Sequence, residues 1–172
     1  MKLLSDPLKF IVDFVYPSCC IICDAPMPHD EKMVCTACWG FLHRVHGVVE
    51  EGIIERSHID EIRSGVYYDT IFQTLIHHFK YQRAIVLAEK FAEILAEIIL
   101  QNPDWRCADW LIPVPLHKIK HRERSYNQSE ELCRCLSALV NIPYRKDLVA
   151  RAVPTESQTK MATAEDRVTN MH

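Results

Sequence analysis

No stretch of the 172 residues is both long and apolar enough to span a membrane; even Ile94–Leu100 is interrupted by Glu97. The N-terminus argues against a secretory leader, because Asp6, Lys9 and Asp13 break up the apolar residues that an exported chain needs as one run. Net charge is also small, at −3, so affinity for phosphates or nucleic acid must come from a local patch and not from the whole molecule. That charge is unevenly spread: residues 1–60 carry nine acids against five bases, whereas residues 109–172 carry ten bases against eight acids. These absences lead us to expect a cytoplasmic protein with no membrane insertion. Thiols stay reduced in that compartment, so paired cysteines there are expected to hold metal instead of disulfides.

What the chain has is enough apolar material, 48%, to fill a real core in one medium domain, or in a small module plus a domain. Eight cysteines are present. Four of them form two C-x-x-C pairs, Cys20–Cys23 and Cys35–Cys38, separated by eleven residues. Such knuckles present four thiolates at tetrahedral angles, the arrangement of a structural zinc site with no position left for a reactive water. Cys19 leaves a register ambiguity, and His29, His43 and His46 are alternative ligands. Free buried thiols or a redox pair are the competing readings.

The second chemical feature is Leu111–Glu131, LIPVPLHKIKHRERSYNQSEE. A short apolar run, expected as a buried strand over 108–112, leads into Lys118, Lys120, Arg122 and Arg124 on alternate residues, flanked by His117 and His121. Asn127 then caps a helix, with Glu130 reaching back from N3. A strand emptying into a basic loop and a helix start forms either an anion site or a solvated connection. Upstream, Leu4, Leu8, Ile11 and Val15 mark a helix over residues 1–16 that ends at Pro17. A short strand is expected at 64–68. Thr70–Gln73 has the form of a capping box opening a helix through Phe79, with His77, His78, Lys80 and Arg83 complementing its C-terminal dipole. A scaffold helix follows over 84–100 with Leu87, Phe91, Ile94, Leu95 and Ile98 on one face. Asn102–Asp104 reads as a turn, and Leu148–Val149 as a further strand. Helix, buried strand, loop and helix is the grammar of a mostly parallel α/β sheet, which binds ligands at the carboxyl ends of its strands.

Several of these features together resemble the ComF-type competence proteins, including GntX-like members: phosphoribosyltransferase-like proteins with an N-terminal double zinc ribbon. The resemblance rests on the paired C-x-x-C module, Ile76–Tyr81, the Pro113–His117 loop entry and Arg124–Gln128. It also rests on Arg151, Thr155, Gln158, Arg167 and Asn170, in the spacing R-x3-T-x2-Q-x8-R-x2-N. Two departures stand out. Ser125 replaces a family Gly, which costs about 1 kcal/mol or more if the backbone there has positive φ. The acidic pair and T-T-G-x-T loop that grip ribose 5-phosphate are absent, so the chain reads as C-terminally truncated.

The resemblance implies an incomplete type I phosphoribosyltransferase-like parallel sheet over residues 63–172. A double zinc ribbon over 17–45 and a linker over 46–62 would precede it. It implies structural Zn2+ on Cys20, Cys23, Cys35 and Cys38, and phosphoribosyl pyrophosphate or a nucleotide-like ligand, with Mg2+ in an intact form. Lys80, His117, Lys118, Arg122, Arg124, Asn127, Gln128, Arg151, Gln158 and Arg167 would bind that ligand. No residue is assigned to catalysis, because the half of the site that holds the ribose is missing. A second reading makes the protein a DNA-uptake accessory whose zinc module and basic loop contact single-stranded DNA or a competence helicase. A third makes it a zinc-binding remnant without independent function.

Overall fold

The computed structural model describes residues 18–28, 30–45 and 59–151. Six helices appear among them: α1 (Thr36–Gly40), α2 (Thr70–Tyr81), α3 (Leu87–Gln101), α4 (Pro103–Arg106), α5 (Lys118–Arg124) and α6 (Gln128–Val140). The N-terminal helix expected over residues 1–16 lies wholly outside the described residues, and so does most of the linker.

The expected parallel sheet is not formed. No β-strand exists among the described residues, and extended pairing there takes the form of isolated bridges, among them Cys19 with Pro26, Arg44 with Val66 and Leu111 with Tyr144. The chemistry of 108–115 explains why. Leu111 donates its N–H to the Pro143 carbonyl and accepts from the Arg145 N–H, both at 2.9 Å. The ladder cannot lengthen because Pro113, Pro115 and Pro143 have no N–H to give. Ile112 and Val114 are 46% and 67% exposed, so the apolar run is not buried between layers. Leu148 and Val149 are likewise exposed and unpaired in any strand.

Burial is instead helix on helix. α3 packs most extensively against α6, and its buried face is Leu87, Ala88, Phe91, Ala92, Ala96 and Ile99. The stripe is rotated from the one expected: Ala88, Ala92 and Ala96 recur every four residues, and their small side chains allow close approach. Gly65 has a similar reason. A Cβ there would lie 2.6 Å from Ile94 Cγ2, so the chain crosses α3 where only hydrogen fits. α2 is capped by Asp69, whose Oδ1 accepts from Phe72 N at 2.9 Å; the expected capping box at Thr70 is displaced by one residue. Asn102 caps α4 through Asp104 N, turning the expected turn into a short helix.

The cysteine segment shares this core. Cys20, Val34, Cys38 and Leu42 are buried in one cluster with Leu75, Phe79, Leu87 and Phe91. Phe91 is the meeting point, with Trp39, Phe72 and Phe79 edge-on to it at 5.9, 5.6 and 5.4 Å.

Candidate metal centre and phosphate-binding face

Two tight turns bring the sulfurs together. In the first, Asp24 N donates to Cys20 O and Cys20 N to Ala25 O, each at 2.9 Å, and Asp24 takes φ 56° to reverse the chain. In the second, Met33 takes φ 64°, Cys35 is the N-cap of α1, and Cys38 lies on that helix. Ile21 N donates to Met33 O at 2.9 Å and ties the two turns to each other. Glu31 steadies the start of α1 by accepting from Thr36 N at 3.0 Å and from the Thr36 hydroxyl.

The Sγ atoms of Cys20, Cys23, Cys35 and Cys38 all lie within 4.8 Å of one another, and Cys23 and Cys35 are 3.8 Å apart. A tetrahedron with metal–sulfur bonds of about 2.3 Å has edges of about 3.8 Å, so the donor set fits such an ion. Burial pushes the Cys20 thiol up, but N–H groups of Cys35 and Ile22 at 3.4 and 3.5 Å support its thiolate, and the balance brings it down to about 6. Burial and the three neighbouring thiols push Cys38 up. Cys23 also ends raised: the Ala25 amide and Cys38 favour its thiolate, but desolvation and the Cys20 and Cys35 thiols outweigh them. Four sulfurs this close cannot all carry charge alone, and a divalent cation removes that repulsion. The register question is answered as well. Cys19 is exposed and outside the cluster, while His43 Nδ1 pairs with Asp69 Oδ2 at 3.0 Å. His29 and His46 lie outside the described residues.

The expected basic loop is helix α5. His117 is its N-cap, accepting from Ile119 N at 3.4 Å. Helical geometry regroups the alternating cations, because residues four apart share a face: Lys118 with Arg122, and Lys120 with Arg124. Lys120 is paired with Glu123 at 2.9 Å. Ser125 ends the helix at φ 68°, so the substituted position is indeed left-handed, and its hydroxyl accepts from Arg83, itself at φ 55°, at 2.8 Å.

Lys80, Arg124 and Gln128 meet at the C-terminus of α2. The Tyr126 hydroxyl donates to the Phe79 carbonyl, and buried Gln128 donates to Lys80 O at 3.2 Å and Phe79 O at 3.5 Å. Burial raises the Tyr126 pKa, which keeps that phenol a donor. Arg124 donates to Gln128 Oε1 and to the Tyr81 hydroxyl, both at 3.3 Å, and its guanidinium lies 5.0 Å from the Tyr81 ring centroid. Asn127 caps α6 through Ser129 N at 3.0 Å and donates to Val114 O at 3.1 Å, while Glu130 pairs with Lys146 instead of closing a capping box. The Asn127 and Gln128 amides are thus engaged within the chain. Lys80, Lys118 and Arg122 form no ion pair among the described residues. Arg151 is exposed at the edge of the described residues, and Gln158 and Arg167 lie outside them.

Sequence reasoning missed Asp69, Tyr81 and the Arg83–Ser125 contact. Tyr81 stands beside Lys80 in the motif, but its partner is 43 residues away, and nothing local announces that. A cavity of about 720 Å³ bordered by Asp60, Glu61 and Asp104 carries the wrong sign for a phosphate. Among the described residues no helix is long and apolar enough to cross a membrane.

Comparison with known proteins adds a direct observation. DNA utilization protein YhgH of Shigella flexneri is 30% identical over 87 residues, covering 49% of this chain and 38% of that protein. Competence protein F of Haemophilus influenzae is 28% identical over 108 residues, covering 61% and 47%. YhgH of Escherichia coli K12 is 29% identical over 87 residues. The chain is a relative of competence protein F and the YhgH proteins. The ComF-type resemblance drawn from the motifs is thereby borne out. The chain spans less than half the length of these relatives, and no family model or solved structure matches it.

Proposed function

We propose that this is a ComF-like accessory of competence and DNA utilisation, built around a structural zinc centre, that binds a phosphate-bearing nucleotide ligand at the α2–α5 corner. The observation that carries the phosphate reading is that Arg124 of α5 reaches Tyr81 and Arg83, just past the end of α2, reaches Ser125, which brings cations of two segments together beside Lys80, with Lys118 and Arg122 also on α5. The relatives' names carry the biological setting. Four cysteine donors and no open position favour zinc in a structural role. Phosphoribosyl pyrophosphate with Mg2+ is one ligand of the required chemistry, single-stranded DNA another, and a helicase-like partner in the cytosol fits the same setting. The residue pattern assigns no group to a chemical step.

The test is thermal shift of the zinc-loaded chain with phosphoribosyl pyrophosphate, with and without Mg2+, beside oligonucleotide binding over a salt series. Binding through phosphates weakens as salt rises. Loss of binding in Lys80→Ala and Arg124→Ala supports the corner; salt-independent binding, or no binding of either ligand, overturns it.

A further inference from the structure

The outer face of α2 carries chemistry that a phosphate site alone does not need. Gln73, Thr74, His77, Lys80 and Tyr81 recur at three- and four-residue spacing, so they share one side of the helix. With Tyr68 they line a cleft of about 380 Å³. Its two ends are aromatic. Tyr68 is 66% exposed and anchored edge-on to Phe72 at 6.3 Å, and Gln73 Nε2 donates to its carbonyl at 3.4 Å. Tyr81 is 47% exposed, with His77 5.2 Å away and the Arg124 guanidinium at 5.0 Å. From Gln73 to Tyr81 the helix rises about 12 Å, room for more than one nucleotide.

Two exposed aromatic rings along an open cleft, with Lys80 and Arg124 beside one of them, can form a stacking platform, which accepts any base because every base has a π-face. The sequence places only Tyr126 near the basic segment, and that ring is buried; the fold supplies Tyr81 and Tyr68 from elsewhere. Resting on the phosphate binding proposed for this corner, we infer that the α2 cleft holds splayed bases of single-stranded nucleic acid between Tyr68 and Tyr81. Lys80 and Arg124 hold the adjoining phosphates. A duplex keeps its bases stacked inside and cannot use the two rings, so the cleft discriminates strandedness rather than sequence.

Fluorescence anisotropy of the full zinc-loaded chain with a labelled oligothymidylate, the same length of single-stranded RNA and a DNA hairpin duplex tests this. The single strands are expected to bind more tightly than the duplex. Tyr81→Ala and Tyr68→Ala are each expected to weaken single-strand binding about tenfold, from a stacking contribution of about 1–3 kcal/mol per base. Tyr67→Ala, an exposed tyrosine outside the cleft, is expected to bind like the parent. Circular dichroism checks that each variant folds. If Lys80→Ala and Arg124→Ala weaken binding while both tyrosine truncations do not, or if the duplex binds equally well, stacking is wrong and the phosphate reading stands. If no nucleic acid binds at all, the inference fails, and the phosphate reading then depends on the phosphoribosyl pyrophosphate shift.

Discussion

The cysteine turns and the α2–α5–α6 corner are held together by opposite means. At the turns, four polar ligands point inward at one another, and two of them, Cys20 and Cys38, are buried in the common core. That arrangement is repulsive once the thiols ionise, so a bound cation would supply its stability. At the corner, the inward groups are already satisfied: Tyr126 and Gln128 close the last carbonyls of α2, while Arg124 is held by Gln128 and Tyr81 and Arg83 by Ser125. The corner is stable before any ligand arrives. Removing a cysteine is therefore expected to be structural damage at the first region, and removing a cation at the second to cost only the proposed binding.

The largest expected effect breaks the first region. Cys38→Ser, or zinc chelation, should remove the metal and destabilise the whole chain by at least about 3 kcal/mol, because the thiol sits in the shared core. Metal analysis and thermal unfolding together check this, and an unchanged melting temperature in a metal-free protein would refute the shared core. Phe91→Ala comes next. It removes the ring on which Trp39, Phe72 and Phe79 meet, at about 3–5 kcal/mol by denaturant titration, and should loosen metal retention in the same sample. Tyr126→Phe removes one buried hydrogen bond at the corner, about 1–2 kcal/mol, with metal content unchanged. Ser125→Gly sharpens the comparison from the other side: relieving φ 68° should stabilise by up to about 1 kcal/mol despite the lost Arg83 contact. Lys120→Ala, which breaks an exposed pair with Glu123, should change stability by less than about 0.5 kcal/mol.

The same contrast explains what could be read from the sequence. The cysteine cluster was legible because its spacing is local and the chemistry demands four donors; Asp24 and Met33 merely supply the turns. α2, α3 and α6 were legible from their periodicity, apart from Asp69 replacing Thr70 as cap and the α3 stripe turning toward its alanines. The sheet was not. An apolar run over 108–112 looks the same whether it is buried among strands or left half exposed. The prolines that stop its ladder mark no more than a loop entry in the sequence. Alternating cations suggested a loop as well, but α5 forms because His117 can cap it and no residue from Lys118 to Arg124 breaks a helix. The Tyr81–Arg124 and Arg83–Ser125 contacts span 43 and 42 residues, a separation at which composition and periodicity carry no signal.

Trp39 stands edge-on to Phe91, one of several contacts that would tie metal supply to the fate of the whole chain. A newly made copy that fails to acquire its ion would present a loosened aromatic cluster to proteases, not a folded body with one slack end. Cellular abundance should then follow the supply of whichever ion the four cysteines hold.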